Sequence, residues 1–179
     1  MMTVAILRSI KKSIVPTSSL LDGSTPIALP ESICKSVNCY AYALGILYKP
    51  QIYEHFLYHP GFTVNYTVNW ESNIMEAVQS DLDNLGITYR KISLNNDITL
   101  EEGEYLVKVF IKNRSWVKDF HFVRFDPHTK MWFHKEGETE PSRMRVYDEE
   151  DNSIYAHEPR SYHFEEYSSC GYYAIKELS

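Results

Sequence analysis

Three observations predict an α+β fold with helices first and an antiparallel sheet after. Apolar residues recur at helical spacing over Ile74, Val78, Leu82 and Leu85. From Ile87 onward the apolar runs shorten and become rich in β-branched and aromatic residues. Between two of these runs, Asp126-Pro127-His128-Thr129 has Asp and Pro where a type I turn wants them, which makes a hairpin.

The elements follow in order. Residues 1–30 carry Pro16, Ser18, Ser19, Gly23, Pro26 and Pro30 and read as an irregular lead-in with a short helix near Ala5 to Ile14. The folded part is expected from about residue 31 to residue 179 as a single domain, a length that buries a sizeable core. Ser36 or Asn38 can cap a helix running to about Leu47, and Tyr48-Lys49-Pro50 and His59-Pro60-Gly61 mark a loop. In the helix over Ile74 to Leu85, Ser72 can cap the start and Gly86 can end it in the left-handed conformation. Strands are expected at Ile87 to Ile92, Tyr105 to Ile111, Phe120 to Phe125, Met131 to His134 and Gly171 to Ile175, with a charged loop at Asp148 to Ser153.

Composition excludes several classes. Net charge is −6, so neither nucleic acid nor an anionic membrane is an expected partner. The apolar run Val4 to Leu7 is too short for a signal segment, and no run has transmembrane length. Three cysteines without framework spacing fit free thiols in a reducing compartment. The expected location is the cytoplasm, or a host cell reached without a cleavable signal. Fourteen tyrosines suit a strand-rich core or a polar-aromatic binding surface equally.

Chemistry points to Asn38-Cys39-Tyr40-Ala41-Tyr42-Ala43-Leu44-Gly45, which places Cys39 in the first turn of a helix. Unpaired amides and the helix dipole there favour a thiolate. A base is available on the hairpin. Alternation puts His121, Val123 and Phe125 on one face and Phe120, Phe122 and Arg124 on the other. A loop of four residues would pair Phe125 with Lys130 and set His121 directly opposite His134 on one face. One histidine could then take the thiol proton while the other fixes its tautomer. A one-residue slip would instead favour Asp126 or Asp119 as the orienting group.

Each residue also has a bland reading. Free cysteine commonly just packs, and Cys34 and Cys170 are read as structural. A lone histidine on an apolar strand face is more often a hydrogen-bonded core residue. His55 and His59 are four apart, but Pro60-Gly61 ends any helix there, so no metal site and no cofactor are expected. Lys108, Lys112, Arg114 and Lys118 with Trp116 read as a solvated edge, and Asp148 to Asp151 as a solvated turn.

The order of these residues resembles the papain-like cysteine hydrolase superfamily, in the layout of its NlpC-type and CHAP-type peptidases and amidases. It is also similar to bacterial and phage proteins that combine an Asn-Cys-Tyr-x-Tyr-Ala-Leu stretch with a later His-x-x-x-x-Asp and Trp-x-His-Lys-x-Gly. Here these are Asn38 to Leu44, His121 to Asp126, and Trp132-Phe133-His134-Lys135-Glu136-Gly137, followed by Pro141.

The resemblance implies a papain-like domain with helices packed on a C-terminal antiparallel sheet. It implies Cys39 as nucleophile, His121 as general base and acid, and His134 as the polar orienting residue, with Asp126 the alternative third member. Asn38 is the candidate oxyanion donor, and Tyr40 and Trp132 are candidate substrate contacts. Papain-type peptidases place a glutamine a few residues before the cysteine, whereas this chain has none before Gln51. The expected reaction is attack of a Cys39 thiolate, paired with a His121 imidazolium, on an amide carbonyl of a protein or peptide, which leaves peptidase, amidase and glutamine deamidase together. An acidic chain suits a protein substrate better than anionic cell-wall polymers. The alternative is a catalytically inactive papain-like domain serving as a binding or inhibitor module, with Tyr40, Tyr42 and Trp132 lining its groove.

Overall fold

A computed structural model gives the architecture and describes residues 2, 4–23, 25–48, 58–64, 71–94, 98–112, 118–143 and 167–178. His55, the charged loop at Asp148 to Ser153, Arg114 and Trp116 lie outside the described residues. The chain is α+β. It opens with α1 (Val4–Lys12), a 3-10 turn at Thr17–Ser19, a small hairpin of β1 (Leu21–Asp22) and β2 (Thr25–Pro26), α2 (Glu31–Cys34) and α3 (Cys39–Ala43). Then come α4 (Ile74–Leu85), β3 (Tyr89–Ile92), β4 (Glu104–Lys112), β5 (Asp119–Asp126), β6 (Met131–Lys135), β7 (Pro141–Arg143) and β8 (Tyr167–Lys176). The last six strands form one antiparallel sheet in the order β3-β8-β4-β5-β6-β7.

Helix α4 forms where its apolar stripe predicts. Asn73, rather than Ser72, caps it by accepting from the Glu76 amide at 3.2 Å. Gly86 ends it at φ 63°, a backbone that costs glycine least. The lead-in is more ordered than its prolines suggest. Ile10, Leu20, Leu21 and Leu29 are buried in the same core as α3 and α4.

Both faces of the sheet are covered, so its central strands read as continuous apolar runs. One face packs Tyr105, Val107, Val109, Phe122, Phe133, Tyr173 and Ile175 against the helices. The other carries Leu106, Phe110, Val123, Phe125, Trp132, Tyr172 and Ala174. On that second face Lys108 is buried between the rings of Phe110 and Tyr172, at 5.0 and 5.3 Å, instead of belonging to a solvated edge. Cys170 sits at the irregularity where the β4–β8 register shifts beside Val109 and Phe110.

A tight crossing joins α3 to the lead-in. Gly45 (φ 74°) follows the helix, its carbonyl accepts from the Val15 amide at 2.9 Å, and Ile14 and Ile46 form an isolated bridge. A Cβ on Gly45 would stand 2.5 Å from the Val15 carbonyl oxygen. Gly45→Ala is expected to lower stability by about 2–3 kcal/mol, since it combines a left-handed backbone with that collision. The midpoint of urea unfolding measures it; an unchanged midpoint would mean that the lead-in moves aside.

Among the described residues no helix is long and apolar enough to cross a membrane.

Candidate active site

The hairpin that carries the histidines forms, with a register that differs from the expected one. The loop keeps four residues but lies one residue further along, at 127–130 with Lys130 at φ 54°, so that Asp126 pairs with Met131, Phe125 with Trp132 and Val123 with His134. His121 is therefore diagonal to His134 instead of directly opposite. A shift of two residues preserves the face, because side chains alternate with period two. The rings meet all the same. His121 Nε2 and His134 Nδ1 are 2.9 Å apart, with ring centroids at 5.1 Å in an edge arrangement. Both residues are buried, at 7% and 8% exposure.

Cys39 arrives from the other side of the sheet. Asn38 caps α3 by accepting from the Ala41 amide at 3.1 Å, and Tyr40 packs its ring 4.6 Å from that of Phe122. Phe120, Phe122 and Arg124 are thus the β5 side chains that face α3, and His121 projects the opposite way. Strand β6 pairs with β5 only from Val123 onward, and the Cys39 sulfur lies at the stretch before that point, 3.9 Å from the Phe120 carbonyl oxygen. The thiol and His121 consequently share one backbone position. No hydrogen bond joins sulfur to imidazole, however, and the expected common groove is replaced by a strand edge between them.

Charge at rest also differs from the thiolate–imidazolium expectation. Burial pushes the Cys39 thiol up to about 12, with Asp119 adding to the shift; backbone amides of Phe122 and Tyr40 and the charge of Lys135 oppose it. Burial, helped by His134, lowers His121 to about 3. The resting state is a neutral thiol and a neutral imidazole. Helix α3 is five residues long, too short for its dipole to reverse the cost of burying a thiolate.

Other expected site residues are occupied elsewhere. The Asn38 amide nitrogen donates to the Tyr58 carbonyl at 2.5 Å, so it is a loop tether and not an oxyanion donor. Tyr40 is fully buried and donates its hydroxyl to Asp81 at 2.7 Å. Trp132 is fully buried beside Phe125, at 5.2 Å between centroids, and lines no groove. Tyr42 is buried likewise, its ring edge-on to Phe133. Asp126 accepts from the His128 and Thr129 amides and the Thr129 hydroxyl, closing the hairpin at the far end of β5 from His121; it is not a third member. Asp119 accepts from the Tyr167 hydroxyl at 2.5 Å.

Three buried charges escaped the sequence reading. Asp81 takes the Tyr40 hydroxyl, the amides of Gly61, Phe62 and Thr63, and the Thr63 hydroxyl, and so ties the loop from Tyr58 to Val64 to the helix of Cys39. Arg124 reaches Ala43, Thr17 and Glu177. Lys135 donates to the carbonyls of Cys34, at 2.7 Å, and Gly137. Each had a signal. Asp81 sits three residues after Val78 on the apolar stripe, and Arg124 and Lys135 continue the alternation of Phe122 and Phe133.

Among the described residues no group of three or more His, Cys, Asp or Glu is placed to hold a metal ion. None of the three cysteines forms a disulfide. Compared with protein-family models, curated proteins and solved structures, the chain matches none.

Proposed function

We propose that this chain is a cysteine-dependent hydrolase of papain-like type acting on an amide bond in a protein or peptide. Cys39 is the nucleophile, His121 the general base and acid, and His134 the residue that orients His121. The observation that carries the reading is the 2.9 Å contact between His121 and His134, on a strand whose backbone at Phe120 also receives the Cys39 sulfur. Cys39, His121 and His134 come from three separate elements and converge on the first half of β5, the sulfur at its backbone and the imidazole pair on its far face.

The mechanism follows from neutral groups. His121 uses Nε2 toward His134, so Nδ1 is the nitrogen that takes the thiol proton as sulfur attacks the carbonyl carbon. His134 then stabilises the imidazolium by accepting from Nε2–H. The imidazolium gives its proton to the departing amine or ammonia as the C–N bond breaks, leaving a thioester on Cys39. Water, deprotonated by the same ring, attacks the thioester, and the acid and the thiol are regenerated. Substrate docking has to bring the imidazole round the edge of β5, where it meets a sulfur stabilised by the Phe122 and Tyr40 amides.

The test is a comparison of wild type with Cys39→Ala and His121→Ala on cell lysate, followed by mass spectrometry for new peptide termini or deamidated glutamines. Cys39→Ala is expected to reduce any turnover by about 10³-fold or more. A change that persists in Cys39→Ala would remove the thiol from the mechanism.

The second reading, an inactive domain used as a binding module, is favoured by the burial of Cys39, 7% exposed and with its thiol pushed up to about 12. It gains if Cys39 reacts with iodoacetamide no faster than Cys34 and Cys170 and no lysate protein changes in a Cys39-dependent way.

A further inference from the structure

The motif Trp132-Phe133-His134-Lys135-Glu136-Gly137 holds one residue that the mechanism above leaves unused. Lys135 is fully buried. A buried ammonium is costly unless its donors are satisfied, and here they are aimed at two backbone carbonyls. One is that of Cys34, at the end of α2, five residues before Cys39; the other is that of Gly137, in the turn that follows β6. Successive side chains on a strand point to opposite faces, so His134 and Lys135 act on opposite sides of the sheet. His134 holds His121 on one face, and Lys135 holds the segment leading into α3 on the other. In the β5–β6 register Lys135 falls next to the His134–Val123 pair, level with Phe122, whose ring packs on Tyr40.

We infer that Lys135 is a positioning residue for Cys39: its ammonium pins the end of α2 to the strand that carries His134 and sets the charge that the sulfur meets. The charged and titratable groups around it are Cys34, Cys39, Glu140 and Glu138, and Asp119 faces the sulfur from β5. Burial lowers Lys135 from the usual lysine range, while the two thiols and the two glutamates favour its charged form. Its charge in turn opposes the upward shift of the Cys39 thiol. In its catalytic sense the inference rests on the hydrolase reading, but its test does not need turnover.

The experiment is the rate of Cys39 alkylation by iodoacetamide from pH 7 to 9, followed on the Cys39 peptide by mass spectrometry with the Cys34 and Cys170 peptides in the same digest. Lys135→Met is expected to slow Cys39 by more than about threefold at a given pH, because the thiolate loses a nearby positive charge. Lys135→Arg, which keeps the charge, is expected to stay within about threefold of wild type. If Lys135→Met fails to fold, Lys135→Gln, a polar replacement without a charge, gives the same reading. An unchanged or faster Cys39 rate in a folded, uncharged variant overturns the inference. Lys135-dependent alkylation in a chain without Cys39-dependent turnover overturns the hydrolase and leaves this inference standing; turnover with Lys135-independent alkylation does the reverse.

Discussion

Arg124→Ala is expected to lower the stability of the fold by about 3–5 kcal/mol, the range for breaking a buried ion pair from one side. Arg124 is fully buried on the helix face of β5. Its guanidinium donates to the Ala43 carbonyl at 3.3 Å and to the Thr17 hydroxyl, meets Glu177 at 3.4 Å, and lies 3.4 Å from the centre of the Tyr105 ring. One side chain thereby joins α3, the lead-in, β4 and the end of β8. Removing it leaves a cavity, a bare carbonyl and a partly buried Glu177 carboxylate held, among the described residues, from the Thr17 amide. Urea unfolding measures the loss. Arg124→Met, which refills the volume without the charge, separates packing from ion pairing. A loss below about 1 kcal/mol in Arg124→Ala would mean that desolvating the guanidinium offsets all it gains.

The second large effect is a pair of opposing pH dependences. Burial raises Asp81 from 3.8 to about 6, against the pull of five hydrogen bonds, so between those values the native state holds a proton that the unfolded chain has lost. Stability from this group is present at low pH and is lost as pH rises through about 6. Burial depresses His121 from 6.5 to about 3, so the unfolded chain is the one that holds the extra proton. Stability from this group is present above 6.5 and is lost as pH falls toward 3. Each contributes about 1.4 kcal/mol per pH unit, with opposite sign.

Between pH about 4 and 6 the two slopes cancel in wild type. Variants expose them. In Asp81→Asn the counter-slope is gone, and stability falls as pH drops from 6 to 4 by about 3 kcal/mol more than in wild type. In His121→Gln stability rises over the same acidification by about 3 kcal/mol relative to wild type. Unfolding curves at four or five pH values read both. If His121→Gln and wild type have parallel curves, the imidazole titrates normally and is not the buried neutral base that the mechanism uses.

These effects arise from charges on faces that the sequence assigns to the core, which shows how far a sequence reading reaches here. Helix α4 was legible because four apolar residues at helical spacing and a glycine stop agree with one another, and local agreement of that kind fixes an element. The strands of the hairpin were legible for the same reason. The register was not, because the four-residue loop sits one residue further along and ends on a left-handed Lys130, and nothing local distinguishes the resulting two-residue shift, which keeps every side chain on its face. The cap of α4 moved from Ser72 to Asn73, since either side chain can accept an amide and their neighbours decide which does.

By itself, then, the sequence determined that the chain is α+β, that β5 carries His121 and Phe122 on opposite faces, and that His134 shares a face with His121. Those are consequences of period and turn chemistry within short stretches. Only the tertiary structure decided which face of β5 meets α3, and it chose the face of Phe122, where Tyr40 finds aromatic partners and Asp81 a hydroxyl. Apolar packing across many residues outweighs one thiol–imidazole bond, which is why Cys39 rests on the edge of the strand while the imidazole pair lies beyond it.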